Sequence, residues 1–374
     1  MKKILILSLT VLFVITLSAG FAFAISGQCN NCHTMHYSQD GTLPPNAGTN
    51  GPYGQLLLDS CLGCHTGTNN PPTDSTPYVL DTVAPTYGTN GTTGNTLAGG
   101  NFYWVSQANN DSFGHNVSGL QTDDVLTSPP GYDNGRADSQ DNIPGGGSWS
   151  GQVTCAGEFG CHGTHASGQN ESAGIRGAHH SNASGSLTTA TTVGNSYRFL
   201  IGIHGYEDSD YEYQPAAAAH NQHKAIARTG DISNRTTISW SCGECHGKFH
   251  SLAADVSDNA PLVGTPWLRH PTDFSLNDVG VSATEYAGYN ANANPAAASY
   301  SIVAPVGSVD VSAVRSTVDV RQGVGTDNAI VTCISCHRAH GTPFDDLLRW
   351  DYATIIAGGA GGNIGCFVCH TTKD

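Results

Sequence analysis

Five short stretches of the chain repeat one arrangement of reactive side chains. They are Cys29-Asn30-Asn31-Cys32-His33, Cys61-Leu62-Gly63-Cys64-His65, Cys242-Gly243-Glu244-Cys245-His246, Cys333-Ile334-Ser335-Cys336-His337 and Cys366-Phe367-Val368-Cys369-His370. Two thiols separated by two residues span one turn of chain. That reach matches the fixed gap between the two vinyl groups of a porphyrin, to which thiols add. The next residue then lies over the iron, and an imidazole there is its proximal ligand. Each stretch therefore reads as a covalent attachment site for c-type haem. Cysteines of an exported chain also form disulfides or zinc sites. Zinc needs closed sets of four ligands, and five separate C-x-x-C-H units do not pair into such sets.

Two of the 12 cysteines remain, Cys155 and Cys161, in the stretch CAGEFGCHGTH. His162 follows Cys161 as a histidine follows each second cysteine elsewhere. Here, however, five residues separate the thiols. Gly157 and Gly160 would let the three extra residues loop out while both sulfurs face one porphyrin. A Cys155–Cys161 disulfide beside five haems is the rival reading. It leaves the Cys161-His162 adjacency unexplained, so the expectation is a sixth haem.

The far side of each iron needs a second ligand. Of 17 histidines, six are proximal: His33, His65, His162, His246, His337 and His370. Met1 and Met35 are the only methionines, so His/Met ligation applies to at most one haem and bis-histidine ligation is the expectation. His36, His165, His250 and His340 follow closely on a motif. Each points away from its neighbouring iron and suits the iron of an adjacent haem. His115 and His270 stand alone beside aromatic residues. His179, His180, His204, His220 and His223 exceed the number of irons, with His179, His180 and His220 the better candidates among them.

The elements that position these groups are short. Gly, Asn, Ser, Thr and Ala dominate, only 12% of residues are charged, and long helical or alternating apolar runs are few. Such a chain lacks the side chains for an ordinary core. The expected fold is a multihaem cytochrome c, mostly coil with short helices and few short strands, wrapped around a stacked haem array. Gln55 to Cys64 and Phe344 to Trp350 read as short helices. Thr236 to Cys242 and Thr317 to Gln322 read as short strands. Gly145-Gly146-Gly147 and Ala357 to Gly362 punctuate loops, and Asn90 to Gly100 reads as irregular coil.

The N-terminus has Lys2 and Lys3, an apolar run from Ile4 to Leu17, and Ala22-Phe23-Ala24 as a small-x-small cleavage site. Residues 1–24 therefore read as a secretory signal peptide and 25–374 as one continuous haem-wrapping domain. The formal charge of −15 becomes −17 without Lys2 and Lys3. An acidic chain without Lys/Arg clusters does not suit nucleic acid as a partner. No later stretch is apolar enough for a transmembrane span.

The blocks CNNCHTMH (29–36), GPYGQLLLDSCLGCH (51–65), GGNFYWV (99–105), GHNV (114–117), LRHP (268–271), CISCHRAH (333–340) and the last CFVCH resemble the OmcS-type hexahaem cytochromes of metal-reducing bacteria. The resemblance implies six stacked, bis-histidine haems and subunits that polymerise head-to-tail into extracellular filaments carrying electrons to mineral oxides or other cells. It implies that His36 is given to a haem of the neighbouring subunit. His115, His165, His250, His270 and His340 become the remaining distal ligands. Two departures stand out: the widened third motif, and the histidine-bearing segment GIHGYEDSDYEYQPAAAAHNQHK (202–224). If His179, His180 or His220 binds iron, His165 is released. A monomeric periplasmic electron carrier is the alternative. A multihaem reductase of a small oxyanion is another; it needs an iron with an open position, whereas histidines here are in surplus.

The intact mass of the mature protein is expected to contain six haem additions and no free or disulfide-bonded cysteine. A count of five, with Cys155 bonded to Cys161, contradicts the sixth site.

Overall fold

Frequent glycine and small polar residues interrupt every run of regular structure. The computed structural model describes residues 28–43, 53–70, 76–107, 110–121, 128–132, 149–180, 184–189, 191–227, 234–250, 270, 272–277, 286–291, 293–321, 323–325, 327–356 and 364–371. Among these the longest helix has six residues and no strand exceeds three. The fold is coil with few short helices and strands, as the composition requires. The leader, Gly145-Gly146-Gly147 and Ala357 to Gly362 lie outside the described residues. No helix among those described is long and apolar enough to cross a membrane.

The helices are α1 (Cys61–Cys64), α2 (Glu171–Gly174) and α3 (Ile238–Gly243). Each starts on a side-chain cap: Ser60, Asn170 and Thr237 accept an N–H from three residues on. Strands β1 (Thr154–Ala156) and β2 (Gly160–His162) pair in parallel. Strands β3 (Gly185–Leu187), β4 (Gly205–Glu207) and β5 (Gln222–His223) form an antiparallel sheet in that order. Two small antiparallel pairs complete the set: β6 (Phe274–Ser275) with β9 (Ile330–Val331), and β7 (Ala298–Ser299) with β8 (Thr317–Val318).

Four local expectations change. Gln55 to Cys64 is not one helix: Gln55 and Leu56 have φ of 57° and 56°, and helix begins only at Cys61. Phe344 to Trp350 breaks the same way, with φ of 59° at both Asp346 and Leu347. Thr236 to Cys242 is not a strand, because the Thr237 hydroxyl accepts the Trp240 N–H at 3.3 Å and starts α3. A local cap here outweighs the β preference of threonine and isoleucine. The strand expected over Thr317 to Gln322 is confined to Thr317–Val318.

Apolar side chains gather in three clusters. The first joins Tyr289, Val306, Val318, Val331, Trp350 and Val368, with Cys336 and Cys369 packed against it. The second is Tyr197, Ile203, Ile238 and Trp240. The third is Phe102, Val105 and Val117, with Cys155 at its edge. Motif cysteines thus sit where the clusters end, which leaves apolar surface facing the sites.

One long-range seam holds the segment after Gly99 onto the stretch after His337. His340 N–H donates to Gly99 O at 2.8 Å, Asn101 N–H to Gly341 O at 2.9 Å, and Thr342 N–H to Phe113 O at 2.9 Å. Gly100 has φ +85°, and a Cβ there would lie 1.9 Å from Gly341 O. Gly100→Ala is expected to cost about 2 kcal/mol or more, measured by denaturant unfolding of the haem-loaded protein. A change within about 0.5 kcal/mol, typical of a neutral surface site, contradicts the role given to this seam.

Candidate haem-binding sites

The five C-x-x-C-H stretches fold alike. In each, the histidine N–H donates back to the first cysteine's carbonyl: His33 to Cys29 at 2.8 Å, His65 to Cys61 at 2.9 Å, His246 to Cys242 at 2.9 Å, His337 to Cys333 at 3.1 Å and His370 to Cys366 at 2.9 Å. One closed turn therefore presents two thiols and an imidazole together. The third stretch reaches the same end differently. The pairing of Thr154 with Gly160 and Ala156 with His162 sets Cys155 beside Cys161 on neighbouring parallel strands, roughly 4.8 Å apart by strand spacing. Gly157, at φ +86°, turns the three additional residues out. Gly160 is required because a Cβ would come within 2.3 Å of Ala156 backbone. Cys155 and Cys161 are both free thiols in this arrangement.

Backbone carbonyls fix the histidine rings. Nδ1 of His33 faces Gln55 O at 3.1 Å, of His65 Pro77 O at 2.7 Å, and of His162 Arg198 O at 2.8 Å. Nδ1 of His246 faces Pro130 O at 2.7 Å, and of His337 Asp346 O at 2.7 Å. A carbonyl only accepts, so Nδ1 carries the proton and Nε2 keeps its lone pair for a metal. Three of these carbonyls belong to one recurring device. Gln55-Leu56, Arg198-Phe199 and Asp346-Leu347 are each a pair of left-handed residues, with φ between 53° and 59°. The first carbonyl of the pair takes the ring N–H. The second takes the backbone N–H of the residue after the histidine: Thr34 to Leu56 and Gly163 to Phe199, both at 2.7 Å, and Arg338 to Leu347 at 2.9 Å. Left-handed geometry costs a residue with a side chain about 1–2 kcal/mol, so these turns persist against local preference.

Five proximal histidines each meet one other histidine. His33 Nε2 lies 3.3 Å from His180 Nε2, and His65 Nε2 lies 3.4 Å from His179 Nε2. Ring centroids are 6.2 Å apart for His246 and His115, 6.3 Å for His162 and His340, and 6.0 Å for His370 and His270. His115 is itself anchored, with Nδ1 2.6 Å from Ala339 O. Nε2 of His33 and of His65 keeps its lone pair, so each can accept an N–H from the facing ring or share a cation with it. A metal–imidazole bond is about 2 Å long, so rings sharing an iron hold their Nε2 atoms roughly 4 Å apart, close to the His33–His180 and His65–His179 geometry. Burial and the neighbouring histidines push His179 down to about 4 and His340 down to about 3. Burial also lowers His65, His115 and His162. These rings are therefore neutral, the form that binds metal.

His337 and His36 differ. Both are exposed, and among the described residues no other histidine ring faces either. His36 occupies the tip of a two-residue hairpin closed by Met35 and Ser38, with His36 and Tyr37 at φ of 54° and 60°.

Two further expected ligands, His165 and His220, meet other partners in this structure and no second histidine ring. His165 is buried, with Nδ1 3.0 Å from Gly157 O and Nε2 3.6 Å from the Glu244 carboxylate. Burial lowers its pKa, but bonding to Glu244 and that residue's charge raise it more, so the net shift is upward. The chain after β2 returns over the β1–β2 turn, with Glu158 N–H donating to Gln169 O at 3.0 Å, and sets this ring between Gly157 and Glu244. His220 is buried and stacked on Tyr300 at 3.7 Å, with Nδ1 on Asn221 O and Nε2 on Arg315 O. Both of its nitrogens are taken. His223 bonds the Tyr197 hydroxyl at 2.9 Å, and His204 is half-buried near Lys224. The backbone of His250 ends the turn Gly247–His250; its side chain is not among those described.

Thiols of successive motifs lie within electrostatic reach in chain order. Cys64 senses Cys32, Cys155 senses Cys61, Cys242 senses both Cys161 and Cys333, and Cys336 senses Cys366. Ligand atoms of Cys61, Cys155 and Glu171 lie within 4.8 Å of one another, at the joint between the second and third sites. Burial pushes Cys161 up to about 11 and Cys336 up to about 12.

Sequence reasoning missed the left-handed turns, the Pro77 and Pro130 carbonyls, and Glu244 as the partner of His165. One faint signal exists for the turns. Gln55-Leu56-Leu57, Arg198-Phe199-Leu200 and Asp346-Leu347-Leu348 are each a polar residue, an apolar one and leucine.

The family described as the doubled CXXCH motif matches residues 326–374, which hold the fifth and sixth sites. The C-type cytochrome OmcS of Geobacter sulfurreducens is 28% identical over 411 residues, covering 97% of this chain and 90% of that protein. Two solved structures are also similar. The outer membrane cytochrome S filament of Geobacter sulfurreducens is 23% identical over 87% of this chain and 84% of its own, with a TM-score of 0.41. The OmcS nanowires from the same organism are 22% identical over 89% and 86%, with a TM-score of 0.43. With its motifs, the sequence similarity makes this chain a carrier of covalently bound c-type haem, similar to OmcS-type multihaem cytochromes.

Asp346→Pro forces a negative φ and is expected to cost about 3 kcal/mol and to perturb the spectrum of one haem through His337. Asp346→Gly keeps the turn and leaves the spectrum unchanged. Equal spectra for both variants contradict the anchoring role.

Proposed function

We propose that the chain carries six covalent c-type haems, one on each of its Cys/His sites including Cys155, Cys161 and His162, and passes electrons along them as a subunit of an extracellular filament. Haem supplies the one-electron redox chemistry. The chain's contribution is to fix the order of the sites, hold each ring's tautomer and exclude water. Within a subunit His33 pairs with His180, His65 with His179, His162 with His340, His246 with His115, and His370 with His270. This accounts for five irons.

The observation that carries the reading is what remains. His337 is the one proximal histidine without a partner ring among the described residues, and His36 is an exposed imidazole held on a strained hairpin tip. We assign His36 of one subunit to the iron of His337 in the next. Strain in this non-glycine pair at an exposed tip motivates the assignment. Apolar side chains flank both ends: Met35 is 75% and Leu43 67% exposed beside His36, and Tyr352 is 68% and Ile356 65% exposed on the segment that follows Arg349. A contact between two different surfaces repeats without closing, which produces a filament. Residues 1–24 act as the export leader, and 25–374 form one haem-wrapping unit. The partners are further copies of the chain, other redox proteins and an extracellular electron acceptor. The chain acts as an electron carrier rather than an enzyme, a reading supported by the similarity to the C-type cytochrome OmcS and by the five histidine pairs among the described residues.

His36→Ala is expected to leave single subunits in which one haem loses low-spin character. His180→Ala is expected to add one high-spin haem whether or not subunits assemble. Filaments that form normally with alanine at position 36 contradict the assignment between subunits.

A further inference from the structure

The fifth site is flanked by two buried guanidinium groups. Arg338 follows His337 directly and is 2% exposed; Arg349 donates its backbone N–H to Cys336 O at 2.9 Å and is 4% exposed. Their side chains meet backbone carbonyls. Arg338 Nη1 donates to Leu97 O and Ala98 O, both at 3.0 Å, and Nη2 to Gly91 O at 3.2 Å. Its Nε is buried without a partner. Arg349 Nε donates to Ile334 O at 2.7 Å. Tyr87 ties the two together, with its ring 5.6 Å from the Arg338 guanidinium and its hydroxyl donating to Arg349 O at 3.0 Å.

Neither guanidinium has a carboxylate within 4.0 Å among the described residues. Three other arginines have closer anions. Arg315 pairs with Asp310, Arg321 with Asp319, and Arg198 feels both Glu207 and Glu212. The carboxylate that acts on Arg349 is Glu212, whose oxygens are engaged by Asn221 at 3.2 and 3.4 Å. Burial and the like charge of Arg338 push Arg349 down to about 10. Two neighbouring buried cations without a close anion are costly, and removing charges from water is tolerated only with a counter-charge. A c-type haem brings two propionate carboxylates, the anion class that suits a guanidinium fork.

We propose that Arg338 and Arg349 form a buried carboxylate-binding site at the fifth motif, taken by haem propionates, and that their charge gives the haem on Cys333 and Cys336 the most positive potential of the array. Positive charge near an iron favours its reduced state. The proposal rests on the reading that Cys333 and Cys336 carry a haem. It makes the fifth site, the one assigned to receive His36, the lowest resting place for an electron in the subunit.

The test uses the full haem-loaded protein, with haems counted by intact mass before potentiometric titration. Arg338→Gln and Arg349→Gln, each with six haems, should move the most positive step downward. At a fixed potential the ratio of oxidised to reduced haem at that step rises at least tenfold, about 59 mV for one electron. The double variant Arg338→Lys/Arg349→Lys keeps both charges and should stay near the wild-type value. Unchanged titrations with six haems overturn the proposal. If both glutamine variants lose the fifth haem and the lysine pair keeps it, charge decides loading, which supports the site. Loss from the lysine pair as well overturns it, because shape and carbonyl bonding are then the role. A wild-type peptide around Cys333 and Cys336 without haem defeats the underlying reading, and the mass reveals this before any titration.

Discussion

Everything in this molecule depends on the hydrogen bond from a histidine Nδ1 to a backbone carbonyl. It decides the tautomer, and the tautomer decides whether Nε2 has a lone pair to give. Five proximal histidines have it, with acceptors 2.7 to 3.1 Å away. The acceptors are distant in sequence: Asp346 O is the nearest, and Pro130 O is more than a hundred residues from His246. Each bond therefore also staples a loop to a haem site. A chain with three small apolar clusters has few other means of fixing such long coil segments.

The same constraint explains where strain is spent. Gln55-Leu56, Arg198-Phe199 and Asp346-Leu347 adopt a geometry that their side chains disfavour. A regular turn would direct its carbonyls elsewhere. The left-handed pair aims two successive carbonyls at the ring and at the backbone beyond it, so ring and chain are oriented together. The sites served by Pro77 and Pro130 achieve the ring contact with a residue whose φ is fixed in advance.

What could be read from the sequence was chemistry with a covalent rule behind it. The five C-x-x-C-H units and the coil-rich fold class followed from spacing and composition. His162 was legible beside Cys161 because every other cysteine already had a motif. The choice among spare histidines was not legible, because it depends on where long coil segments return. His165 looked like a ligand from its place in CHGTH, yet the chain after β2 brings it to Glu244. His179 and His180 carry no motif, yet they stand opposite His65 and His33. The helices expected at Gln55 and Asp346 failed for the reason given above: a tertiary acceptor role overrode local propensity. The buried Arg338 and Arg349 were invisible as a pair until the fold closed around Cys336.

The observed geometry is five proximal histidines that each meet a second histidine, with His36 and His337 exposed and facing no other histidine ring among the described residues; the proposed filament joins these two. Cryo-electron microscopy of the secreted, haem-loaded protein tests this most directly, because it reads ligation and assembly together. The account predicts a filament in which His36 of one subunit and His337 of the next bind the same iron, with His180, His179, His340, His115 and His270 opposite the other five. A second ligand to the His337 iron from its own chain, such as His250, contradicts it.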